Sequence, residues 1–265
     1  MSKVSCYIIA FNEERKIRQA VGSVIEWADE VIVCDSFSTD RTAEYAEALG
    51  ARVVQIPFEG FGKLRNTALT HCTLPWIFSL DSDERCTPEA RDEILSLVRS
   101  NKADGPIAYW MPRKNFLLGR WVAHSGWYPD YRQPQLFRNG QLQYTLEAVH
   151  EGFECKGPIG HLKAPIWQFP FENLSQMLKK ADRYSSLGAE KLRDKKQGGL
   201  GKGLIHGLSI FVQSYVFKSG WRDGRAGLAI AVGAFIGTFY KYAKLAELQH
   251  DWSEPEQPRV GPPNP

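Results

Sequence analysis

The sequence lacks the cysteine spacing of a zinc site or a disulfide framework. Its five cysteines are scattered over 265 residues and include no C-x-x-C pair, which predicts reduced thiols in a cytosolic protein. No signal peptide precedes the first strand-like run, and no uncharged apolar stretch reaches the roughly 20 residues that span a bilayer. The net charge of +3 is too small to indicate a nucleic-acid partner. We therefore expect a cytoplasmic protein with no nucleic acid among its partners.

Glycine-rich phosphate loops are also missing. The P-loop pattern G-x-x-x-x-G-K-[ST] does not occur, and the turn after the first predicted strand, at residues 10–13, contains no glycine. These absences disfavour P-loop ATPases and Rossmann dehydrogenases. If this protein binds a diphosphate, a metal ion rather than a glycine loop would have to neutralise it.

The first hundred residues do contain a regular alternation of short apolar runs and helical patterns. Runs typical of buried parallel strands lie at residues 4–10, 31–34, 52–56 and 76–80. Apolar residues at helical spacing predict helices at 12–28, with Asn12 as the cap, and at 39–49, 63–72 and 88–98. The series predicts an α/β fold with a mostly parallel sheet flanked by helices.

The pattern changes after residue 106. Short strand candidates at 107–111, 135–138 and 152–155 are separated by loops rich in Gly, Pro and Trp. This arrangement favours antiparallel strands added to the sheet over another β-α-β unit. We expect these elements to complete a first domain at residues 1–170, whose halves are 1–100 and 101–170.

A basic helical region follows the first domain. Residues 175–225 hold eleven Lys or Arg against four Asp or Glu, so the positive charge of the chain is concentrated there. The last residues of the sequence are rich in proline. We expect a basic amphipathic helical extension at 171–252 and a disordered Pro-rich tail at 253–265.

Polar residues follow the predicted strands at the edge where ligands bind in sheets of this kind. Asp35 comes directly after the second run, and Asp81 and Asp83 come directly after the fourth. Two carboxylates at positions i and i+2 repel each other unless a cation or solvent relieves them. Hard oxygen ligands of this kind suit Mg²⁺ or Mn²⁺. The acidic pair therefore predicts a divalent-metal site. Residues 38–40 fit helix capping as well as they fit ligand binding.

Four sequence blocks stand out by their order and spacing. They are YIIAFNEE at 7–14, VIVCDSFSTDRT at 31–42, KLRN at 63–66 and SLDSDE at 79–84. Together they resemble the signature of glycosyltransferase family 2. Two further blocks, QPQLFR at 133–138 and VHE at 149–151, resemble its subgroup of bacterial lipopolysaccharide-core β-1,4-glucosyltransferases. The resemblance implies a GT-A fold, a UDP-sugar donor, Mg²⁺ or Mn²⁺ as cofactor, and inversion at the anomeric carbon.

The resemblance also assigns nucleoside contacts. It implies that Asp35 hydrogen-bonds the uracil edge and that Phe11 and Glu13 line the nucleoside pocket. It further implies that Arg65 reaches the base or the phosphates. These residues lie in the first three of the four blocks.

The diphosphate and the donor sugar are assigned to later residues. The resemblance implies that Asp81 contacts the ribose or the donor sugar and that Asp83 ligates the metal. Arg132 and Arg138 are candidates for pairing with the diphosphate, and exposed salt bridges explain both arginines equally well.

An inverting transfer is a single displacement, so it needs one general base and a stabilised leaving group. The run LEAVHE at residues 146–151 holds the candidates, and in an extended run Glu147 and Glu151 share one face. We favour Glu151, because His-Glu occupies the place of the catalytic acidic motif in the family. His150 remains open as base, metal ligand, orienting partner or structural residue.

Two segments of the basic extension carry no formal charge when His206 is neutral. They are residues 203–217 and 226–240, and as helices each would be about 22 Å long, short of the roughly 30 Å hydrocarbon core. Lys218, Arg222 and Arg225 lie between them, which is typical of helices in the interface of an anionic membrane. Packing on the first domain or an oligomer interface is the alternative.

The sequence therefore favours an inverting, metal-dependent transferase. Its resemblance implies transfer of a sugar, glucose above others, from a UDP-sugar to an inner-core heptose of lipopolysaccharide, a lipid-linked glycan. The site of action would be the cytoplasmic face of the inner membrane. The alternatives are a transferase for a polyprenyl-phosphate acceptor and a non-catalytic nucleotide-sugar-binding protein.

Overall fold

The computed structural model describes residues 3–100, 105–146 and 152–250. The chain divides into two compact units, Met1–Pro170 and Phe171–Pro265. The predicted tail at 253–265 lies outside the described residues. Each unit has its own packing and is described by itself below.

The first unit alternates strands and helices before a region of short strands. Its helices are α1 (Ile17–Gly22), α2 (Thr42–Ala48), α3 (Phe61–His71) and α4 (Pro88–Ser100). Its strands up to residue 100 are β1 (Val4–Ala10), β2 (Glu30–Asp35), β3 (Arg52–Gln55), β4 (Trp76–Asp81) and β5 (Glu84–Cys86). The later strands are β6 (Ala108–Trp110), β7 (Arg113–Leu117), β8 (Arg120–Trp121), β9 (Leu136–Arg138), β10 (Leu142–Tyr144), β11 (Phe153–Cys155), β12 (Ile159–His161) and β13 (Ile166–Gln168).

A seven-stranded sheet has the order β12-β6-β9-β4-β1-β2-β3. β1 is parallel to β2 and β4, β2 is parallel to β3, and β6 is parallel to β12. β9 is antiparallel to both of its neighbours, β4 and β6. Since β9 alone is reversed among these seven strands, the predicted mostly parallel α/β sheet is confirmed. β6, β9 and β12 widen this sheet and do not form a separate antiparallel layer.

Helices cover both faces of the sheet, and this explains the continuous apolar runs of β1, β2 and β4. One face, which includes Ile8, packs against α1 and α4 through Ile17 and Ile94. The opposite face, which includes Tyr7, packs against α3 through Leu64. Full burial of one such side chain contributes about 1.5–3 kcal/mol, so these contacts hold the helices on the sheet.

The loops after β1 and β2 differ from the prediction. α1 begins at Ile17 and not at Asn12, whose φ of 53° lies in the left-handed region. The side-chain oxygen of Asn12 accepts a 2.8 Å hydrogen bond from the backbone amide of Thr39. α2 begins at Thr42, later than predicted. The polar residues of these loops therefore connect one loop to the other, and the predicted cap at Asn12 is wrong.

A smaller sheet has the order β5-β13-β7-β8, with β13 antiparallel to β5 and parallel to β7. Its register aligns Glu84, Gln168 and Asn115 in one row across three strands. All three side chains are buried. The fold thereby brings Gln168, from the end of the first unit, to the acidic loop that follows β4.

The second unit consists of helices. They are α5 (Leu174–Leu192), α6 (Leu200–Val212), a π-helical turn (Gln213–Phe217), a short 3₁₀ turn (Gly220–Asp223) and α7 (Arg225–Gln249). α7 packs against both α5 and α6. With 25 residues it is long and apolar enough to cross a membrane by length and composition. α7 reaches this length because it continues past the charged residue Lys241, and its uncharged part, residues 226–240, stays shorter than the roughly 20 residues that span a bilayer.

Candidate active site

The register of the main sheet places two predicted acids on either side of β1. Asp35 is aligned with Ala10, and Asp81 is aligned with Ile9. Because neighbouring strands lie about 4.8 Å apart, the two acids flank the end of β1 at about 10 Å from each other. This is the carboxyl edge of the parallel strands, where ligands bind in open α/β sheets.

Asp35 is fully buried and supports the loop that follows it. Its carboxylate accepts a 2.9 Å hydrogen bond from the amide of Ser38 and a second one from the Ser38 hydroxyl. The Ser38 oxygen in turn accepts a 2.8 Å hydrogen bond from the amide of Asn12. Phe11 and Phe37 beside these loops are each 58% exposed. The edge therefore presents two aromatic side chains on loops that Asp35 and Ser38 hold in place.

Glu13 and Asp40 complete the contacts between these loops. The amide of Glu13 donates to Thr42 Oγ1 at 2.8 Å, and the Glu13 carboxylate lies 3.5 Å from Lys16 Nζ. Asp40 accepts hydrogen bonds from the amides of Glu14 and Thr42 at 3.1 and 2.9 Å. The amides of Glu14 and Thr42, together with the Thr42 hydroxyl, hold the pKa of Asp40 below its usual value although partial burial opposes them.

Arg65 reaches the site from α3 on the inner side of the sheet edge. It is 3% exposed and donates from Nη2 to Asp81 Oδ1 at 2.8 Å and from Nη1 to Ser79 Oγ at 3.3 Å. Burial alone would raise the pKa of Asp81, but the positive charge of Arg65, assisted by Arg113, keeps it below its usual value. Arg65 therefore holds an ionised carboxylate at the end of β4 and is itself directed into the protein.

A buried network continues from this pair into the β10–β11 hairpin. Ser79 Oγ donates to the hydroxyl of Tyr7 at 2.8 Å, and the hydroxyls of Tyr7 and Tyr144 lie 3.0 Å apart. Asn66 on α3 accepts from the amide of Tyr144 at 2.9 Å and donates to its carbonyl at 2.8 Å. α3 thus contacts both the acid at the end of β4 and the hairpin.

Asp83 is held by the smaller sheet. The side-chain amide of Gln168 donates to both carboxylate oxygens of Asp83 at 3.3 Å, and the amide of Phe169 donates to its carbonyl at 2.8 Å. Burial raises the pKa of Asp83, and the negative charge of Asp81 adds to the shift. Among the residues that the structure describes, Asp83 forms no salt bridge. Its carboxylate is therefore a half-buried anion supported by neutral donors.

The neighbouring Glu84 is in a different situation. It is almost completely buried and accepts a 2.5 Å hydrogen bond from Nε of Arg113, which is equally buried. Burial raises the pKa of Glu84 to about 7, with the charges of Asp81 and Asp83 adding to the shift and Arg113 opposing it. Glu84 is thus committed to an internal ion pair, and Asp83 is the acid left to face a ligand.

The residues present fit a metal held mainly by its substrate. Within residues 3–100, 105–146 and 152–250, no group of three or more His, Cys, Asp or Glu side chains could hold a metal ion. Mg²⁺ typically binds through one or two carboxylates together with substrate phosphates. Asp83, a carboxylate without a cationic partner in this described part, matches that donor set. The protein offers one ligand rather than a closed metal cage.

Arg132 and Arg138, the two candidates for the diphosphate, lie in different places. Arg132 donates to Asp130 at 2.7 Å, and the nearby charges of Glu84 and Asp81 contribute to raising its pKa together with Asp130. Arg138 is aligned with Trp76 at the opposite end of β4, and its guanidinium stacks over that ring at 4.7 Å. Trp76 lies five positions before Asp81, which is about 16 Å along the strand. The strand register therefore removes Arg138 from the candidate donor site, whereas Arg132 stays near it.

The three residues predicted to supply the general base, Glu147, His150 and Glu151, lie outside the described residues. Thr145 and Gly152, on either side of this segment, are described. The amide of Thr145 donates to the carbonyl of Gly152 at 3.0 Å, and the amide of Gly152 donates to Thr145 Oγ1 at 2.8 Å. We call this pair the hairpin neck. It joins the β10–β11 hairpin to the segment that holds the predicted base.

Some contacts of this site have no counterpart in the sequence-based prediction. Gln168 lies 85 positions from Asp83, and no local pattern marks it. With its amide oxygen turned toward Arg65, Gln133 accepts from both terminal nitrogens of that guanidinium at 3.1 and 3.2 Å. Phe37, within one of the four motif blocks, adds a second exposed aromatic ring. Of these three residues, only Phe37 could be noticed in the sequence, because it is an apolar residue inside a polar loop.

Comparison with known proteins gives a consistent result. The family model described as Glycosyl transferase family 2 matches residues 5–156. The Lipopolysaccharide core biosynthesis glycosyltransferase LpsC of Rhizobium meliloti (strain 1021) is 26% identical over 269 residues, which cover 97% of this chain and 96% of that protein. An uncharacterized glycosyltransferase of Rickettsia bellii (strain RML369-C) is 44% identical over 259 residues, which cover 93% and 87%. A crystal structure of glucosyl-3-phosphoglycerate synthase from Mycobacterium tuberculosis matches with 28% identity and a TM-score of 0.36 over 43% of this chain and 44% of that one.

Proposed function

The chain belongs to glycosyl transferase family 2 and is a glycosyltransferase, and from this premise we propose that it transfers one hexose, with glucose favoured, from a UDP-sugar with inversion. The observation that carries the proposal is the single sheet edge that holds Asp35, Asp81 and Asp83 beside exposed aromatic rings. We assign the donor to residues 1–100 and the acceptor to residues 101–170.

The nucleoside would bind at the loops after β1 and β2. The exposed rings of Phe11 and Phe37 offer apolar faces for the uracil, and stacking of a base on an aromatic ring contributes about 1–3 kcal/mol. Asp35 supports this surface by holding Ser38, and Glu13 lies on the neighbouring loop. Opening of the Asp35–Ser38 contact would allow Asp35 itself to accept a hydrogen bond from the uracil edge.

The sugar and the diphosphate would bind at the loop after β4. Arg65 keeps Asp81 ionised and oriented, so that Asp81 can accept a hydroxyl group of the ribose or the donor sugar. Gln168 orients Asp83, which would hold Mg²⁺ or Mn²⁺. When bound there, a divalent cation supplies positive charge to the departing diphosphate. Arg132 would add a second positive charge on the same side.

The general base would come from the segment between the two residues of the hairpin neck. We propose Glu151 as the residue that takes the proton from the acceptor hydroxyl, with Glu147 as the second candidate and His150 beside them. General-base catalysis contributes about 10²–10⁴-fold to a reaction of this type. The neck, formed by Thr145 and Gly152, supports this assignment because it joins the segment to the network that reaches Asp81.

We propose an inner-core heptose of lipopolysaccharide as the acceptor. The support is the match to LpsC, whose name places it in the biosynthesis of lipopolysaccharide core and whose length this chain almost fully covers. The second unit supports a position on the cytoplasmic face of the inner membrane, because its helices combine exposed apolar residues with Lys and Arg. A polyprenyl phosphate is the alternative acceptor. Its phosphate would be the nucleophile and would make the glutamate base less necessary.

A panel of UDP-, GDP- and dTDP-sugars tests the donor. We expect slow hydrolysis of a UDP-hexose with Mn²⁺ or Mg²⁺ and none with a chelator, because water can replace the acceptor when the donor is bound. Hydrolysis of GDP- or dTDP-sugars in preference to UDP-sugars would overturn the donor assignment. Equal hydrolysis with the chelator would overturn the metal.

Two acceptors then separate the remaining alternatives. Purified heptose-terminated lipopolysaccharide core should gain one sugar, and nuclear magnetic resonance of the product should show an anomeric configuration opposite to that of the donor. Transfer to a polyprenyl phosphate with no transfer to the core would replace the proposed acceptor. A donor that binds but is never hydrolysed or transferred would indicate a binding protein.

A further inference from the structure

Two glycines of α6 lie in the contact between α6 and α7. A Cβ atom added to Gly203 would lie 2.8 Å from the carbonyl oxygen of Phe239, and one added to Gly207 would lie 2.9 Å from the ring of Phe235. Both glycines are buried. Helices come this close where small residues line their contact, as they do in lipid bilayers.

Four large apolar side chains of α6 form a row on another side of the helix and are exposed. We call them the α6 stripe. Its members recur every four residues and are between 40% and 61% exposed: Leu200, Leu204, Leu208 and Val212. The turns that follow add Phe217, which is 80% exposed, and Trp221, which is 59% exposed. On α7, Leu228 and Val232 are exposed at the same four-residue spacing.

This arrangement is the reverse of a helix pair that is stable in water. A surface helix of a soluble protein directs its leucines to the core and its polar residues outward. Soluble monomers also rarely expose a continuous apolar patch larger than a few hundred Å². Small residues inside and leucines outside are expected when the surroundings are themselves apolar. The exposure and spacing of the α6 stripe therefore favour an apolar occupant.

The charges around the stripe identify a bilayer as that occupant. Lys195 and Lys196 precede α6, whereas Lys218, Arg222 and Arg225 follow it. Positive charge thus lies at both ends of the stripe, where it can meet anionic headgroups. A second copy of the chain fits less well. Whether two stripes met parallel or antiparallel, cations would oppose cations, which is unfavourable.

The polar residues of α6 determine the orientation in that bilayer. Lys202, His206 and Ser209 of α6 recur at helical spacing with Gln213, the first residue of the π-helical turn, and all four are exposed on a side of their own. A helix that crossed the membrane would place this polar side in hydrocarbon. It would also have to carry the three cations that follow α6 through the bilayer, and each costs about 2.5–3.5 kcal/mol at its centre. A helix in the plane of the interface exposes one side to lipid and the other to headgroups.

We propose that the α6–α7 hairpin lies in the plane of an anionic membrane, with the α6 stripe, Phe217 and Trp221 among the acyl chains. In this position Lys218, Arg222 and Arg225 contact the headgroups. The inference extends the membrane location in the proposed function from a charged surface to a defined inserted element. It concerns the second unit only, so it can fail while the transfer reaction stands.

Co-sedimentation of the full chain with vesicles tests the stripe. Leu204→Asn together with Leu208→Asn should lower binding to phosphatidylcholine vesicles that contain phosphatidylglycerol by about tenfold or more, at low and at high salt. Ser209→Asn, on the polar side of the same helix, is the matched control and should bind like the wild type. Charge reversal of Lys218, Arg222 and Arg225 should weaken binding by about 10²-fold at low salt and far less at high salt.

Equal binding by the wild type and the leucine variant, or no binding by either, would overturn the proposal. A wild-type dimer in lipid-free solution that the leucine substitutions abolish would assign the stripe to a second copy. Hydrolysis of the UDP-sugar should be the same in all these variants. If hydrolysis were absent in the wild type while vesicle binding followed the stripe, the proposed function would fail and this inference would stand.

A fluorescent label distinguishes an in-plane hairpin from one that crosses the bilayer. Four of the five cysteines are buried, so Cys155→Ser with Lys218→Cys leaves one reactive thiol. With the protein added outside vesicles, a membrane-impermeant quencher on the outside should reach a label at position 218. A label that is protected until the vesicles are lysed would mean that the hairpin crosses the membrane.

Discussion

Arg65 on α3 lies 2.8 Å from Asp81 at the end of β4, and this contact pairs the Asp81 carboxylate with a buried cation. The adjacent acid of the predicted metal site, Asp83, is oriented by the neutral Gln168. Two acids only two positions apart are therefore held by different elements and have opposite pKa shifts. This difference separates an anchored carboxylate from one that is available to a cation.

We expect Arg65→Met alone to destabilise the protein more than the double variant that removes both partners of the ion pair. Removal of one partner leaves a buried charge, so we expect destabilisation of about 3 kcal/mol in urea unfolding. Adding Asp81→Asn should restore part of this stability, because no uncompensated charge then remains. Neither variant should bind UDP normally. Additive losses of stability in the double variant would contradict a direct pair.

Asp83→Asn should behave differently from a change at Arg65. It removes the repulsion from Asp81 that helps to raise the pKa of Asp83, so the melting temperature should stay equal or rise. Affinity for UDP in Mn²⁺ should fall by about 10²-fold or more, because the charge of a bound metal contributes several kcal/mol at such sites. Calorimetry with Mn²⁺ and with a chelator measures this. If the Mn²⁺-dependent affinity were unchanged, Asp83 would not be the metal ligand.

The contact of Asn66 with Tyr144, the residue before the hairpin neck, predicts a selective effect of substitution at Asn66. Asn66→Ala removes two hydrogen bonds to Tyr144, which should cost about 1–3 kcal/mol of stability. Transfer to the acceptor should fall several-fold while hydrolysis of the donor is retained, since the donor acids do not depend on this contact.

Asn139 offers the matched control. Its side chain also makes two hydrogen bonds to backbone, with the carbonyls of Cys72 and Leu74, but at the opposite edge of the sheet. Asn139→Ala should lose similar stability and keep both activities. An equal loss of transfer in the two variants would mean that the Asn66 substitution acts only through a general loss of stability.

Kinetics can distinguish the roles of Glu147 and Glu151, which lie between the two residues of the hairpin neck. Glu151→Gln should preserve donor binding and lower the rate of transfer by about 10²–10⁴-fold, as expected for removal of a general base. Glu147→Gln makes the same chemical change at the other candidate and serves as the control. Near-normal transfer in the first variant and an inactive second variant would assign the base to Glu147.

We expect the contacts of Glu30, which lies away from the candidate active site, to be sensitive to acid. Ser5, the amide of Thr73 and Arg52 lower the pKa of Glu30 below its usual value, although burial opposes them. Since the folded state holds this carboxylate ionised, its contribution to stability is present above about pH 4.5 and is lost as the pH falls through the lower folded value. Glu30→Gln should therefore destabilise the protein at pH 7 and much less at pH 3. Urea unfolding at both values checks this, and a pH-independent loss would contradict it.

The main sheet and its acidic edge could be predicted from the amino-acid sequence. The limits of β1, β2, β3 and β4 agree with the apolar runs to within one or two residues. For β1, β2 and β4 the reason is that a strand buried on both faces needs apolar side chains throughout. The helix at Pro88 follows from local capping, in which Thr87 Oγ1 accepts from the amide of Ala90 at 3.1 Å. Family membership could be recognised from motif order, since those residues are neighbours in sequence.

The contacts of the polar side chains depend on long-range packing and could not be predicted from the sequence. Asn12 contacts Thr39, Gln168 reaches Asp83, and Arg65 turns inward to Asp81. Each of these contacts joins residues 16 or more positions apart, so no local pattern specifies it. Arg138 was misplaced for the same reason: the antiparallel register of β9 aligns it with the start of β4. Register and burial, which select a partner for every charge removed from water, come from the packing of the whole sheet.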